Sequence, residues 1–204
     1  MLDVVIATGN RHKFKELKAL LTMPGIRWHS LADYPALPPV RETGHTFDAN
    51  AIKKAQAVAR GTRMLAIADD SGLEVEALRG GPGVRSARFA GRHGNDRANN
   101  VKVLRLMKGL PPAKRKARYR CSLVLADPLR VVGLSRGTWA GRIATVPRGR
   151  HGFGYDPLFM VPRHHKTVGQ LSAAIKRQCS HRARAARTLR PILLRYLRLH
   201  HEIV

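Results

Sequence analysis

Short apolar runs alternate along the chain with segments whose apolar residues recur every three or four positions. Residues 2–7 form a brief apolar run with β-branched members, which predicts a buried strand ending at the turn Thr8-Gly9-Asn10. Phe14, Leu17, Leu20 and Leu21 then share one helical face, and Pro24-Gly25 stops it. Residues 26–31 read as a second strand and the proline-rich stretch 34–44 as a loop. Phe47, Ala51, Ala55 and Val58 mark another helical face that ends at Gly61. Residues 64–68 are a strand expected to run into a polar turn, Asp69-Asp70-Ser71-Gly72. A glycine-rich loop (80–94) and a helix (96–107) follow. Strands at 119–126 and 131–139 flank Ala126-Asp127-Pro128-Leu129, an antiparallel hairpin. After a loop at 152–157, a basic helix begins near His181, carrying Leu189, Leu193, Tyr196 and Leu197, with Pro191 as a point of kinking or restart. The sum is an α/β fold with a mixed sheet, expected as a single domain over residues 1–204.

Composition narrows this picture. Hydrophobic residues make up 44% of 204, enough for a sizeable core. No apolar run reaches the roughly 20 residues of a membrane span. The start, MLDVVIATGN, has no basic region and reads as a strand, not a signal peptide. Two cysteines, Cys121 and Cys179, lack metal-ligand spacing and are expected as ordinary thiols in a reducing cytoplasm. The charge changes more. Thirty-eight Lys and Arg against 13 Asp and Glu give +25, a field that attracts nucleotides and nucleic acid without selecting either. Ten of the cations, with Glu202 as the single acid, lie between Arg163 and Val204. A scattered arginine bias on solvated faces accounts for the excess equally well.

Three places could carry chemistry. Thr8-Gly9-Asn10-Arg11-His12-Lys13 joins a strand end to a helix start, where backbone N–H groups and the helix dipole favour a phosphate. The alternative is an ordinary cap, and the P-loop spacing is absent. Asp69-Asp70 sets two like charges side by side after an apolar strand. A hard cation such as Mg²⁺ would stabilise both; otherwise they are a solvated turn. Glu42 offers a further carboxylate or is simply an exposed loop residue. Phe153-Gly154-Tyr155-Asp156 sets aromatics in a glycine loop beside an acid, able to stack on a base. Ser180-His181-Arg182 supplies donors for a base edge or a solvated basic tail.

In order, these segments resemble the inosine/xanthosine triphosphate pyrophosphatases. The likeness runs through ATGNRHKFKEL (7–17), ETGHTF (42–47), NAIKKA (50–55), AIADDSGLEVEALRGGPGVRSARFAG (66–91), GFGYDPLF (152–159) and SHRARA (180–185). It implies an elongated sheet flanked by helices, with two lobes and a nucleotide cleft, usually in a homodimer. It implies Mg²⁺-dependent hydrolysis of ITP, dITP or XTP to the monophosphate and pyrophosphate. Thr8 to Lys13 would hold phosphates, with Lys53 adding charge. Glu42 and Asp70 would hold Mg²⁺. Asp70 would also accept the proton of the attacking water, supported by Asp69. Ser71, Phe153, Gly154, Tyr155, Asp156, Lys176, His181 and Arg182 would bind the rest of the substrate.

The chain departs from that pattern where it matters. Ala49 stands where the family commonly has glutamate, and helical geometry turns neighbouring Asp48 about 100° away. Ala174-Ile175-Lys176-Arg177 lacks the acids usual before the lysine, and Gln170 replaces an expected glutamate. Two other readings therefore stand beside the enzyme: a catalytically weakened family member, and a nucleic-acid-binding protein using its basic surface by non-specific attraction. Pyrophosphatases for modified pyrimidines share the chemistry but typically not the SHR tail.

Overall fold

The computed structural model describes residues 1–200. Its seven strands form one mixed sheet in the order β2-β1-β3-β4-β5-β6-β7. They are β1 (Leu2–Ile6), β2 (Ile26–Ser30), β3 (Leu65–Val75), β4 (Lys116–Ala126), β5 (Val131–Ile143), β6 (Phe159–Val161) and β7 (Lys166–Thr167). β1 pairs in parallel with β2 (Val4 opposite Trp28) and with β3 (Val5 opposite Ala66). β6 is antiparallel to both β5 and β7. Neighbouring β4 and β5 are joined by only four residues, too few for a parallel crossover, so the predicted hairpin is present. The Asp127 carboxylate accepts from the backbone N–H of Leu129 and Arg130 and fixes that turn.

The helices are α1 (Arg11–Leu21), α2 (Phe47–Thr62), α3 (Asp96–Leu106), α4 (Ala173–Cys179) and α5 (His181–His200). The chain divides into two units. One holds Met1–Asp70, Cys121–Gly137 and the described residues from Arg182 onward; the other holds Ser71–Arg120 and Thr138–His181. In the first unit the period-two alternation of strands sorts side chains between two cores. Val4 and Ile6 of β1, Leu65 and Ile67 of β3, and Cys121, Leu123 and Leu125 of β4 pack against α1 and α5. Val5, Ala66, Ala68, Val124 and Ala126 pack against Ala51, Ala55, Val58 and Ala59 of α2. The second unit builds its own core from Leu73, Val103, Met107, Tyr119, Trp139, Leu158 and Phe159 among others.

Two expectations are corrected. β3 does not end at Ala68: it runs on through Asp69 and Asp70 to Val75, so the two acids are buried mid-strand and not in a solvated turn. Leu73 and Val75, fully buried in the second unit's core, carry the strand onward. α5 continues through Pro191 without restarting, because Leu189, Leu193 and Leu197 anchor it on both sides of the proline. Among the described residues, no helix is long and apolar enough to cross a membrane.

Candidate active site

The strand alternation that sorts the core also sorts the acids. Asp69 continues the Leu65–Ile67 parity and emerges toward α1 and α5; Asp70 continues that of Ala66 and Ala68 toward α2. Adjacent like charges thus occupy opposite faces of the sheet, each with its own cations. Asp69 is fully buried. It takes the Lys13 ammonium at 2.5 Å on Oδ1, and the Arg182 Nε at 2.9 Å on Oδ2, where the Cys121 thiol also donates at 3.2 Å. Arg182 is clamped from its other side by Glu16 of α1. Burial would raise the Asp69 pKa, but Arg182 and Lys13 outweigh it and hold the carboxyl well below the usual range. The same burial, with the Asp69 charge beside it, pushes the Cys121 thiol well up. Asp69 is therefore held in its ionised form, where it fixes Lys13 and Arg182.

Asp70 differs. Burial raises its pKa, with Lys54 and Lys13 pulling the other way. The Asn50 amide donates to Oδ2 at 3.0 Å and also accepts the Gly44 N–H at 2.8 Å, tying the Glu42 loop to α2. The Lys54 ammonium sits among three oxygens: Glu42 Oε1 at 2.7 Å, the Asp69 carbonyl at 2.6 Å and Asp70 Oδ1 at 3.7 Å. Burial would lower the Lys54 pKa, but the nearby Asp70 and Glu42 raise it. These oxygens are hard donors gathered round one positive charge, a set that suits a hard divalent cation. Among the described residues no group of three His, Cys, Asp or Glu side chains is arranged for a metal; Glu42 and Asp70 could supply two carboxylates. Mg²⁺ commonly takes only one or two protein carboxylates and completes its shell with water and phosphate.

At the head of α1, Asn10 caps the helix by accepting from the backbone N–H of His12 and Lys13, and Thr8 Oγ1 accepts from Asn10 N–H. Gly9, Asn10, Arg11 and His12 are exposed around this turn.

In the second unit the loop at 152–156 is organised by Asp156. Its carboxylate accepts from Phe153 N–H at 2.9 Å, the Tyr119 hydroxyl at 3.1 Å and the Lys176 ammonium at 2.6 Å. Lys176 also lies 4.6 Å from the centre of the half-buried Phe153 ring. His181 stacks on Tyr119 with ring centres 4.6 Å apart. Gly152 has φ +79° and passes so close to Asp156 that a Cβ would stand 2.0 Å from Oδ2, so only glycine fits. Asp96 and Asn100, one turn apart on α3, hold Gly154 from both ends: Asp96 accepts its N–H at 2.7 Å and Asn100 donates to its carbonyl at 2.9 Å.

The profile of the Ham1 family matches residues 4–192. This chain belongs to the Ham1 family. It is 47% identical to a dITP/XTP pyrophosphatase of Rhodopirellula baltica over 96% of this chain and 94% of that one. It is 45% identical to a Bacillus subtilis protein of the same name, over 95% and 98%. Among solved structures, the HAM1 protein of Coxiella burnetii superposes with a TM-score of 0.86 at 37% identity, covering 96% of this chain and all of that chain. The Staphylococcus aureus Ham1 protein gives 0.84 at 38%, covering 95% and 99%.

Within this Ham1 chain the expected residues sort unevenly. Lys13, Asp69 and Arg182 meet, as do Glu42 and Asp70 through Lys54, and Phe153, Asp156 and Lys176. Lys53 does not join them: it is exposed and bonds Thr43 Oγ1 at 3.0 Å. The cation that reaches Glu42 and Asp70 is the half-buried Lys54, which shares a helical face with Asn50 by their spacing of four. The Arg182 guanidinium is engaged by Asp69 through Nε and by Glu16 through Nη1. Tyr155 is buried in the core and its hydroxyl donates to the Ser86 carbonyl, so it does not present a face for stacking. Ser71 follows Asp70 in β3 and is half-buried. Asp48, as its helical position predicts, turns away from Asp70: it accepts from Ser122 at 2.5 Å and from Arg136 at 2.6 Å. Ala49 is exposed and leaves no carboxylate in its place. Gln170 closes a capping box with Thr167, a role that needs no charge. Glu16, Lys54, Asp96 and Asn100 escaped the reading of the sequence, although helical spacing relates each to a residue already singled out or to its partner in the site.

Proposed function

We propose that this protein hydrolyses non-standard purine nucleoside triphosphates (ITP, dITP and XTP) to the monophosphate and pyrophosphate. The observation that carries this reading is the split of Asp69 and Asp70 between two faces and two cation sets, in a chain of the Ham1 family. The names of its relatives, dITP/XTP pyrophosphatases, support the substrate class.

The roles follow from the chemistry of each group. Lys13 and Lys54 offset the charge of the triphosphate, and the exposed Thr8-Gly9-Asn10-Arg11-His12 turn offers further donors to phosphate oxygens. Glu42 and Asp70 would hold Mg²⁺. Bound there, the ion would neutralise phosphate oxygens and lower the barrier to attack at phosphorus. Asp70, with a pKa raised by burial, accepts the proton of the attacking water. Asp69 stays ionised and keeps Lys13 aimed. Ser71 contacts the substrate. Phe153 stacks on the base, and Gly154, Asp156, Lys176 and His181 shape its surroundings. The protein works in the cytoplasm as a homodimer, which light scattering in solution would check.

The test is pyrophosphate release with Mg²⁺ from ITP, XTP, dITP, ATP and GTP side by side. Release confined to the first three supports both chemistry and base choice; release from ATP and GTP at equal rates overturns the base choice. Asp70→Asn should cut kcat by about 10²–10⁴-fold without changing the fold. Full activity in that variant rules out its role as proton acceptor.

One observation favours a second reading, a weakened enzyme. Ala49 lacks the usual carboxylate, and Asp48 is committed to Ser122 and Arg136 and cannot replace it. Ala49 is exposed, so Ala49→Glu is accommodated without repacking. A rate increase of tenfold or more in that variant would establish the weakening; no change would dismiss it.

A further inference from the structure

The solvent side of α5 carries a row of cations and no acid among the described residues, with Leu194 and Leu199 exposed beside them. Arg184, Arg187, Arg190, Arg195 and Arg198 are all exposed, and at 100° per residue they fall within about 140° of arc. At 1.5 Å per residue the row is about 21 Å long. α5 has no acidic residue over its 20 positions. Its apolar side, Ala185, Ala186, Leu189, Leu193 and Leu197, is turned into the core that it shares with α1. α1 adds two cations on the same side of the sheet, Lys15 and Lys18, exposed at i and i+3. Arg184 and Arg187 also interact within the chain, and the described carboxylates nearest these helices have partners of their own. Glu16 pairs with Arg182, Asp69 with Lys13 and Arg182, and Asp127 takes the turn N–H groups and the Tyr196 hydroxyl. Both helices therefore pack on one core and turn cations to solvent within one unit.

We infer that the α1–α5 face binds the phosphate backbone of duplex nucleic acid without reading its sequence. Two features favour this partner. Every exposed cation of α5 described above is arginine, whose planar fork takes phosphate oxygens in pairs. The row also has the reach to meet several phosphates, which follow one another about every 3.4 Å of axis along a strand. An anionic bilayer fits less well, because helices that lie on membranes bury a whole apolar face in the lipid, and here that face is committed to the core, with Leu194 and Leu199 as scattered exposed apolar residues. This function is separate from nucleotide hydrolysis and would keep the protein close to the polymer whose precursors it handles.

The experiment is fluorescence anisotropy of a labelled 20-base-pair duplex of random sequence, from 50 to 200 mM KCl. Two triple variants of equal charge are compared with the unaltered chain: Arg190→Ala/Arg195→Ala/Arg198→Ala on the face, and Arg92→Ala/Arg97→Ala/Arg105→Ala on exposed positions of the other unit. The unaltered chain should bind with a log–log salt slope of about −4 to −5. The face variant should bind at least tenfold more weakly, with its slope reduced by about 3 and pyrophosphate release unchanged. The other variant should keep most of the affinity. Equal weakening in both would assign the attraction to net charge and overturn the face. Binding to phosphatidylserine-containing vesicles but not to the duplex would overturn the partner.

Discussion

Asp69 and Asp70 are one residue apart and behave oppositely because a strand turns successive side chains to opposite faces. For Asp69 the result is a buried anion between two cations. Asp69→Asn would take the counter-charge from Lys13 and one of its carboxylates from Arg182, and removing one partner of a buried pair costs about 3–5 kcal/mol. The sign with pH follows from the depressed pKa. The contribution of Asp69 is complete above the unfolded-chain value of about 3.9 and is lost as pH falls through the lower folded value. Melting temperatures of the two proteins should differ by a constant amount above pH 5, and the gap should close below pH 4. A gap that persists unchanged to pH 2 would show that the carboxylate's charge is not what matters. The pair of lysines gives a second residue-level prediction. Lys54→Met should lower kcat/KM about 100-fold, because it removes the cation between Glu42 and Asp70. Lys53→Met, at an exposed position, should stay within about threefold. The acids were visible in the sequence because two charges after an apolar run are conspicuous. The choice between Lys53 and Lys54 was not, since it depends on which side of α2 meets β3, a fact of packing and not of composition.

At the level of elements, strand and helix cores were legible from periodicity, and their ends were not. β3 was expected to stop where polar residues begin, yet the polar pair lies inside it, because the ions that neutralise it come from distant helices. α5 shows the converse. Proline inside a helix removes a hydrogen bond and crowds the preceding turn, costing about 3 kcal/mol. Three buried leucines, at 189, 193 and 197, outweigh that penalty. Pro191 is exposed and contributes no packing of its own. Pro191→Ala should therefore stabilise the protein by restoring the N–H for the Arg187 carbonyl, by about 1–3 kcal/mol. Thermal unfolding reads this directly: a melting temperature that stays level or falls would mean that the helix is relaxed around the proline in some other way. The short elements β6, β7 and α4 left no periodic signal, since two to seven residues complete too few repeats to be recognised.

For the whole molecule, the charge was the plainest feature of the sequence, but its placement was not. A total of +25 on 204 residues gives no hint that two helices line up their cations on one side, because that needs α1 and α5 to share a core. The excess carries a physical cost that can be measured. Like charges at this density repel one another in the folded state, and the unfolded chain relieves the repulsion by spreading out. Salt shortens the range of the repulsion from about 30 Å at 0.01 M to about 8 Å at 0.15 M. Few carboxylates are available to gain from low salt, because the closest ion pairs, such as those of Asp69 and Asp156, are buried and only weakly screened. The repulsive term should therefore dominate the response, and the melting temperature should rise by several degrees between 10 and 150 mM NaCl. The Arg190→Ala/Arg195→Ala/Arg198→Ala protein should rise less, since it begins with part of the repulsion removed. A melting temperature that is flat or falls with salt would mean that surface ion pairs offset the excess, and that the arginines of α5 are held by partners within the chain and not displayed for one outside it.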